Sequence, residues 1–543
     1  MKISHLAIAL IAFPMMGHAE RLVQFSKTNP VTFKGPQDLT KVATGLSADQ
    51  FKLKQTKESL LGRHFRFQQV RNGIEVAGAE LIVSTTNRGH VFQVYNNTSS
   101  AKFNESKANI PLISSEMAME NAWIKLRGNG DLLETPEASL LYQGDKLVYV
   151  VNLSASSPYG HYTVQVDAHS GNVLSVEDAA LPRMKRAEVN TRTNAPVVSF
   201  SRALSKLENK NFKSQFGLNG ILVNGTAQVF DPNPVVTLQR GGLEDTTELS
   251  VFRPAYSTQE LKDISFVNGV YSLSGPKIKL IDFESPNVAP ATSQDGSWMY
   301  ERDNVAFNDA MTYLHIDRSV RYIESLGFAN KRAIFPKTLE VDANGVQGAD
   351  NSHYIPYSKR LAFGHGCVGD NEDADVILHE LGHAIQDHMT TWSGGDTGAM
   401  GEGFGDYWAA SYSASVANGN DPYPNWVYKW DGHNKCWPGR VLDATHVKYD
   451  PKTTYRAHVR IGSNQSDELW STPIYQAFVE LTASGAPRED LDKIILESHF
   501  GIGYGVKMPE MAQAIVNTAR QLFPSKSYDQ VYLRHFRTQN ILQ

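Results

Sequence analysis

Apolar residues recur along this chain with two different periods, and the change from one to the other divides it. Arg63 to Val70 alternates in character, and Val76 to Val83 follows after the turn signal Asn72-Gly73. Alternation flanking an Asn-Gly pair predicts a β-hairpin. His90 to Tyr95 continues the strands, and a helix is predicted over 114–126 from its start Ser114-Ser115-Glu116. A second strand-rich block runs through Leu147–Leu153, Tyr162–Asp167 and Gly171–Leu174, with a turn at Ser170-Gly171. Residues 180–218 are rich in Lys, Arg, Asn and Ser, which reads as a linker, and the basic stretch Pro182-Arg183-Met184-Lys185-Arg186 suits proteolytic maturation. Strand-like segments with many Pro and Gly begin near Gly220. Helical spacing takes over from Asp303, first in Asn304–Ile323 and later in 473–482 and 507–522.

A chain of 543 residues holds several such units. Its hydrophobic content of 41% and charged content of 20% are those of a globular protein. A net charge of −5 with no long basic run gives no footing for a nucleic-acid partner. The first residues read as an export signal: Lys2, then the apolar run Leu6–Met16, then Gly17-His18-Ala19 with small residues where a signal peptidase reads. No later apolar stretch reaches the roughly 18 residues needed to span a bilayer, so the expectation is a secreted protein, extracellular or periplasmic, with no membrane partner. In such a compartment the only two cysteines, Cys367 and Cys436, are permitted to form a disulfide. Metal ligation by them is the weaker alternative, since they lack close spacing.

The chemistry concentrates in His379-Glu380-Leu381-Gly382-His383, which follows the apolar run Val376-Ile377-Leu378. On a helix, positions i and i+4 share a face, so His379 and His383 can aim ring nitrogens at one zinc ion, with Glu380 beside them as general base. A zinc site of this kind needs a third protein ligand. Glu402 stands in Gly401-Glu402-Gly403-Phe404-Gly405-Asp406, and Glu402 and Asp406 are again i and i+4. Glu402 can complete a His₂Glu set, and Asp406 can take a hydrogen bond from the far nitrogen of a ligating histidine. The three glycines are costly in a helix; close approach to the first helix explains them, and a loop is the alternative.

With both motifs in hand, the chain resembles the glutamate zincins of the thermolysin/fungalysin type. Arg66-Phe67-Gln68-Gln69, Gly73-Ile74-Glu75-Val76 and Gly78-Ala79-Glu80 are similar to the fungalysin/thermolysin propeptide motif. Val166-Asp167-Ala168 with Gly171-Asn172-Val173 is similar to the end of a PepSY domain. The resemblance implies a signal peptide at 1–19, a fungalysin/thermolysin-type propeptide at 20–110 and a PepSY-like propeptide at 111–180. A linker at 181–219 and a catalytic domain at 220–543 follow. It implies an α+β fold: a two-lobed catalytic domain with the zinc helix between the lobes, preceded by small α+β propeptide domains. It implies an endopeptidase acting on a protein or peptide substrate, with its own propeptide as intramolecular inhibitor and chaperone. His379, His383 and Glu402 would hold Zn²⁺ and Glu380 would be the base. Asn351-Ser352-His353-Tyr354 resembles the edge strand of the substrate cleft, which makes Asn351 and Tyr354 candidate substrate-binding residues.

The pattern leaves three points open. The family has a histidine that stabilises the tetrahedral intermediate, shortly before a helix worded like Glu468-Leu469-Trp470; in that register the position is Asn464, and His458 lies six residues earlier. Either can donate to an oxyanion. Asp375 falls at a calcium-ligand position, so Ca²⁺ is a second candidate ion, although no matching acidic set follows Glu402. Two rival functions share the motif: a zinc aminopeptidase, which normally carries a Gly-x-Met-Glu-Asn motif absent upstream of His379, and an inactive secreted binding protein on a protease scaffold, against which the intact Glu380 speaks.

Overall fold

The computed structural model describes residues 21–24, 44, 47–99, 110–182, 184, 197–213, 220–417 and 419–543. The expected export signal and the basic positions Arg183, Lys185 and Arg186 lie outside them. The fold is mixed α+β.

The N-terminal part is built on one nine-stranded sheet. It comprises β1 (Leu22–Gln24), β2 (Phe51–Glu58), β3 (Arg63–Arg71), β4 (Ile74–Thr85), β5 (Val91–Asn96), β6 (Glu137–Gln143), β7 (Lys146–Ser156), β8 (Tyr159–Asp167) and β9 (Val173–Asp178). The predicted hairpin is β3–β4, closed by Asn72 and Gly73, both with positive φ as its tight turn requires. Both strand-rich blocks belong to the same sheet, because β4 pairs with β6 in parallel (Glu75 with Leu141, Val76 with Tyr142). The helix α1 (Ser115–Leu126) starts where its sequence signal lies, with the Ser114 hydroxyl accepting from the Met117 amide. It buries Ala118, Ala122, Trp123 and Leu126 against β7 and β8.

Within 181–219, expected to be a linker, the described residues meet two different neighbours. The helix α2 (Phe200–Lys213) places Phe200, Ala203 and Leu207 in the same core as Trp123, and the Trp123 indole donates to the Val198 carbonyl at 2.7 Å. Apolar burial of this size outweighs what composition alone suggests. Ahead of it, β10 (Leu181–Pro182) joins a sheet of the C-terminal part.

The C-terminal part opens with a five-stranded sheet of β11 (Ile221–Phe230), β12 (Tyr256–Val267), β13 (Val270–Ser272), β15 (Thr292–Ser293) and β16 (Ser297–Trp298). A second sheet has the order β10, β18 (Ser352–Ile355), β19 (Arg360–Phe363), β17 (Leu339–Asp342) and β14 (Ile278–Leu280). The helix α3 (Val305–Ser325) packs against both sheets. Then come α4 (Ala374–Met389) and α5 (Thr397–Ala417), followed by α6 (Ser466–Ala483), α7 (Arg488–His499), α8 (Met508–Leu522) and α9 (Tyr528–Thr538). One large core of aromatic and aliphatic side chains runs through this part. It also takes in Leu22, Ile82 and Tyr95 from the N-terminal sheet, so the two parts share buried apolar surface. Cys367, just after β19, is joined by a disulfide to Cys436. Among the described residues no helix is long and apolar enough to cross a membrane.

Candidate metal centre and active site

The site is set by two helices that touch through glycine. The N-cap of α4 is Asp373, whose buried carboxylate accepts from the Asp375 amide at 3.0 Å and from the Trp430 amide at 2.9 Å. Gly382 on α4 and Gly405 on α5 face each other: a methyl group on Gly382 would lie 2.8 Å from the Gly405 Cα, and one on Gly405 would lie 2.5 Å from the His379 ring. Close approach therefore accounts for these glycines, and the segment carrying Glu402 is helical and not a loop.

That approach brings His379 and His383 to Glu402. His379 Nε2 lies 3.2 Å from Glu402 Oε2, and His383 Nε2 lies 3.3 Å from Glu402 Oε1. All three side chains are buried. Neither Nε2 has a hydrogen-bond partner, nor has Glu402 Oε2. Buried polar atoms are normally satisfied, so two unbonded histidine nitrogens within 4.8 Å of a Glu402 oxygen call for a ligand. Tetrahedral ligands about 2.0–2.1 Å from a zinc ion are about 3.3 Å apart, so the spacing fits that ion. Burial works against the negative charge of Glu402, yet His458 beside it holds its carboxyl well below the usual range. The two histidines diverge: burial lowers His383, which favours its neutral form, whereas against that same burial Asp406 and Glu402 raise His379. Glu380, next on α4, is buried as well.

Asp406 lies where its i+4 relation to Glu402 puts it, 3.1 Å from His379 Nδ1. It also meets partners that the motif does not announce. The fully buried Arg440 donates to Asp406 from Nε at 2.9 Å and from Nη2 at 2.8 Å, and its Nη2 is 3.4 Å from Glu402 Oε2. The Tyr428 hydroxyl donates to Asp406 at 2.7 Å. Both residues come from the stretch between α5 and α6, on or next to the short strands β20 (Trp426–Val427) and β21 (Arg440–Val441). No local motif marked them; the sequence signal available was only a lone arginine following Pro438-Gly439.

Residues 49–98 match the Fungalysin/Thermolysin Propeptide Motif. No curated protein matches the chain. Among solved structures, the Bacillus megaterium YpeB C-terminal domain is similar over 30% of this chain and 73% of its own, at 14% identity and a TM-score of 0.18.

The two oxyanion candidates fall in different places. His458 Nε2 is 3.7 Å from Glu402 Oε1, whereas Asn464, on the short hairpin of β22 (Arg460–Ile461) and β23 (Asn464–Gln465), turns its side chain to Glu468. Asp467, absent from the sequence reading, takes both the His458 backbone amide and its Nδ1, each at 3.0 Å. Burial alone would lower His458, but Glu402 and Asp467 raise it to about 9. Both ring nitrogens are then donors, with Nδ1 held by Asp467 and Nε2 aimed at the site.

Something already lies along the edge strand. Leu181 and Pro182 pair antiparallel with Tyr354 and His353 of β18. Asn351 accepts from the Met184 amide and donates to the Met184 carbonyl, both at 3.0 Å. His458 Nε2 donates to the Pro182 carbonyl at 3.0 Å. The other candidate, Tyr354, is a core residue: its side chain is buried and its hydroxyl donates to Asp387 at 2.7 Å, so only its backbone faces the added strand.

Asp375 differs from expectation for a clear reason. Its carboxylate is taken by the Ser413 hydroxyl and the Tyr428 amide, and the buried Lys429 Nζ lies 3.6 Å from it and 3.3 Å from Asp421. A lysine ammonium thus stands beside the carboxylate that was a candidate calcium ligand. Burial opposes that charge, and Asp375 and Asp421 nonetheless raise the pKa of Lys429 above its ordinary value.

Proposed function

We propose that this chain is the zymogen of a secreted, zinc-dependent endopeptidase of the thermolysin/fungalysin type. The observation that carries this reading is the set of orphaned nitrogens and carboxylate oxygen of His379, His383 and Glu402, at zinc-ligand spacing beside the buried Glu380. The propeptide motif at 49–98 supports a peptidase of this type.

The division of labour follows from the side chains. A zinc ion held by His379, His383 and Glu402 would supply Lewis acidity toward the scissile carbonyl and toward water. Glu380 takes the proton that water gives up as it attacks, and hands it to the leaving amine. His458, oriented by Asp467 through its Nδ1, donates from Nε2 to the carbonyl oxygen as negative charge develops there. Asp406 and Arg440 fix the His379 ring. Asn351 and β18 hold an extended peptide by its backbone, which suits internal sites in a protein chain. In the zymogen that place is taken by residues 181, 182 and 184 of the chain itself, so the cleft is blocked until they leave.

Casein or quenched-peptide hydrolysis by the processed protein tests this, with and without a zinc chelator and beside Glu380→Ala. Chelator-sensitive internal cleavage should fall by about 10³-fold in the variant while its zinc content is retained. Release of N-terminal residues alone would point to an aminopeptidase, and zinc binding without any cleavage to a binding scaffold.

A further inference from the structure

Two buried carboxylates of the C-terminal part accept their hydrogen bonds from the N-terminal part. Glu284, beside β17 in the strand-rich region, is 1% exposed. Its Oε1 accepts from His161 Nε2 on β8 at 2.7 Å, and its Oε2 accepts from the Tyr159 hydroxyl at 2.6 Å. It also has two partners of its own part: His353 Nε2 at 2.9 Å and the Val346 amide at 2.9 Å. Glu497, on α7 in the helical region, is 3% exposed. It accepts from the Ser59 hydroxyl at 2.5 Å and from the Leu60 and Leu61 amides at 2.8 and 3.1 Å, all in the turn between β2 and β3. The two acids sit on different structural regions, and each meets a different half of the nine-stranded sheet.

Each receives donors, not merely opposite charge. Glu284 meets an imidazole and a phenol; Glu497 meets a hydroxyl and two adjacent peptide N–H groups. A carboxylate accepts through both oxygens, whereas a carboxamide of the same shape turns an NH₂ against one of those donors. Left without its donors, a buried acceptor bears its full desolvation cost.

We propose that Glu284 and Glu497 form a two-point docking face whose partner is the N-terminal part of this same chain, residues 47–182. His161 with Tyr159 engages one point and the Ser59–Leu61 turn engages the other. Occupation of both points holds the N-terminal part across the two regions that flank the metal centre, and seats β10 on β18. The proposal takes from the zymogen reading only the identity of the occupant; its readout is association, so a chain that hydrolyses nothing leaves it standing.

The test uses the full chain carrying Glu380→Ala, with a recognition sequence for an added protease inserted between Phe216 and Gly217, beyond α2. After folding and cutting, the rate at which the two pieces separate is followed by gel filtration. Glu284→Gln and Glu497→Gln should each speed separation at least tenfold, and the double variant should multiply the two effects. His161→Gln should match Glu284→Gln, and the pair combined should be no worse than the stronger single change. Ser59→Ala should speed separation severalfold. His161→Gln and Ser59→Ala leave the C-terminal part untouched, so they decide the matter even if a glutamate variant fails to fold. Wild-type separation rates in His161→Gln and Ser59→Ala would overturn the proposal.

Discussion

Two clusters in this molecule are made of the same three residue types, two histidines and one glutamate, and both are buried: His379, His383 and Glu402 on the one hand, His161, His353 and Glu284 on the other. In the second, both histidine Nε2 atoms sit at 2.7 and 2.9 Å from a single oxygen, and each glutamate oxygen has two donors. Those are closed hydrogen bonds. In the first, each Nε2 faces its own oxygen at 3.2 or 3.3 Å and finds no hydrogen-bond partner. Composition is therefore a poor guide to a metal site. Spacing and unmet bonding capacity separate the cluster that could take an ion from the one whose hydrogen bonds are complete.

The largest test of this contrast is zinc content. The purified chain should carry one zinc, His383→Ala none, and His161→Ala still one, by metal analysis after dialysis. Two zinc ions per chain would break the distinction. A smaller effect sharpens it within the active site: His458→Ala should lower kcat by about 10²–10³-fold with zinc retained, since it removes one oxyanion donor. Asn464→Ala should leave kcat near the parent value, because its side chain faces Glu468. Next, Asp406→Asn should weaken zinc affinity by about 10–100-fold, read by competition with a chromophoric chelator, because the support of His379 changes and not a ligand.

What could be read from the sequence was whatever repeats over short distances. The i, i+4 pairs His379/His383 and Glu402/Asp406 carried their geometry with them, because a helix fixes it. The Asn72-Gly73 turn and the Ser114 cap were equally local. Arg440, Tyr428 and Asp467 were not legible, since the fold delivers them to Asp406 and His458 from distant stretches with no periodic mark. The sequence left Asn464 and His458 both open for the same reason: their placement depends on the path of one hairpin. At Asp375 the position was legible but its counter-charge was not, because Lys429 arrives from a loop. The supposed linker misled through its polar composition, which hid the few apolar positions, Phe200, Ala203 and Leu207, that fasten α2.

That helix bears on how the zymogen comes apart. A single cut in the basic stretch 182–186 would leave the C-terminal product with a 14-residue helix as its own leading segment. Yet the buried face of that helix lies in the core of the other product, next to Trp123. The two fragments would stay tethered like a plug on a chain. Clean parting would take either a second cut between 213 and 221 or extraction of α2 from its berth, so for a chain cut in the basic stretch the hold of α2, and not the cut itself, would set the lifetime of the latent form.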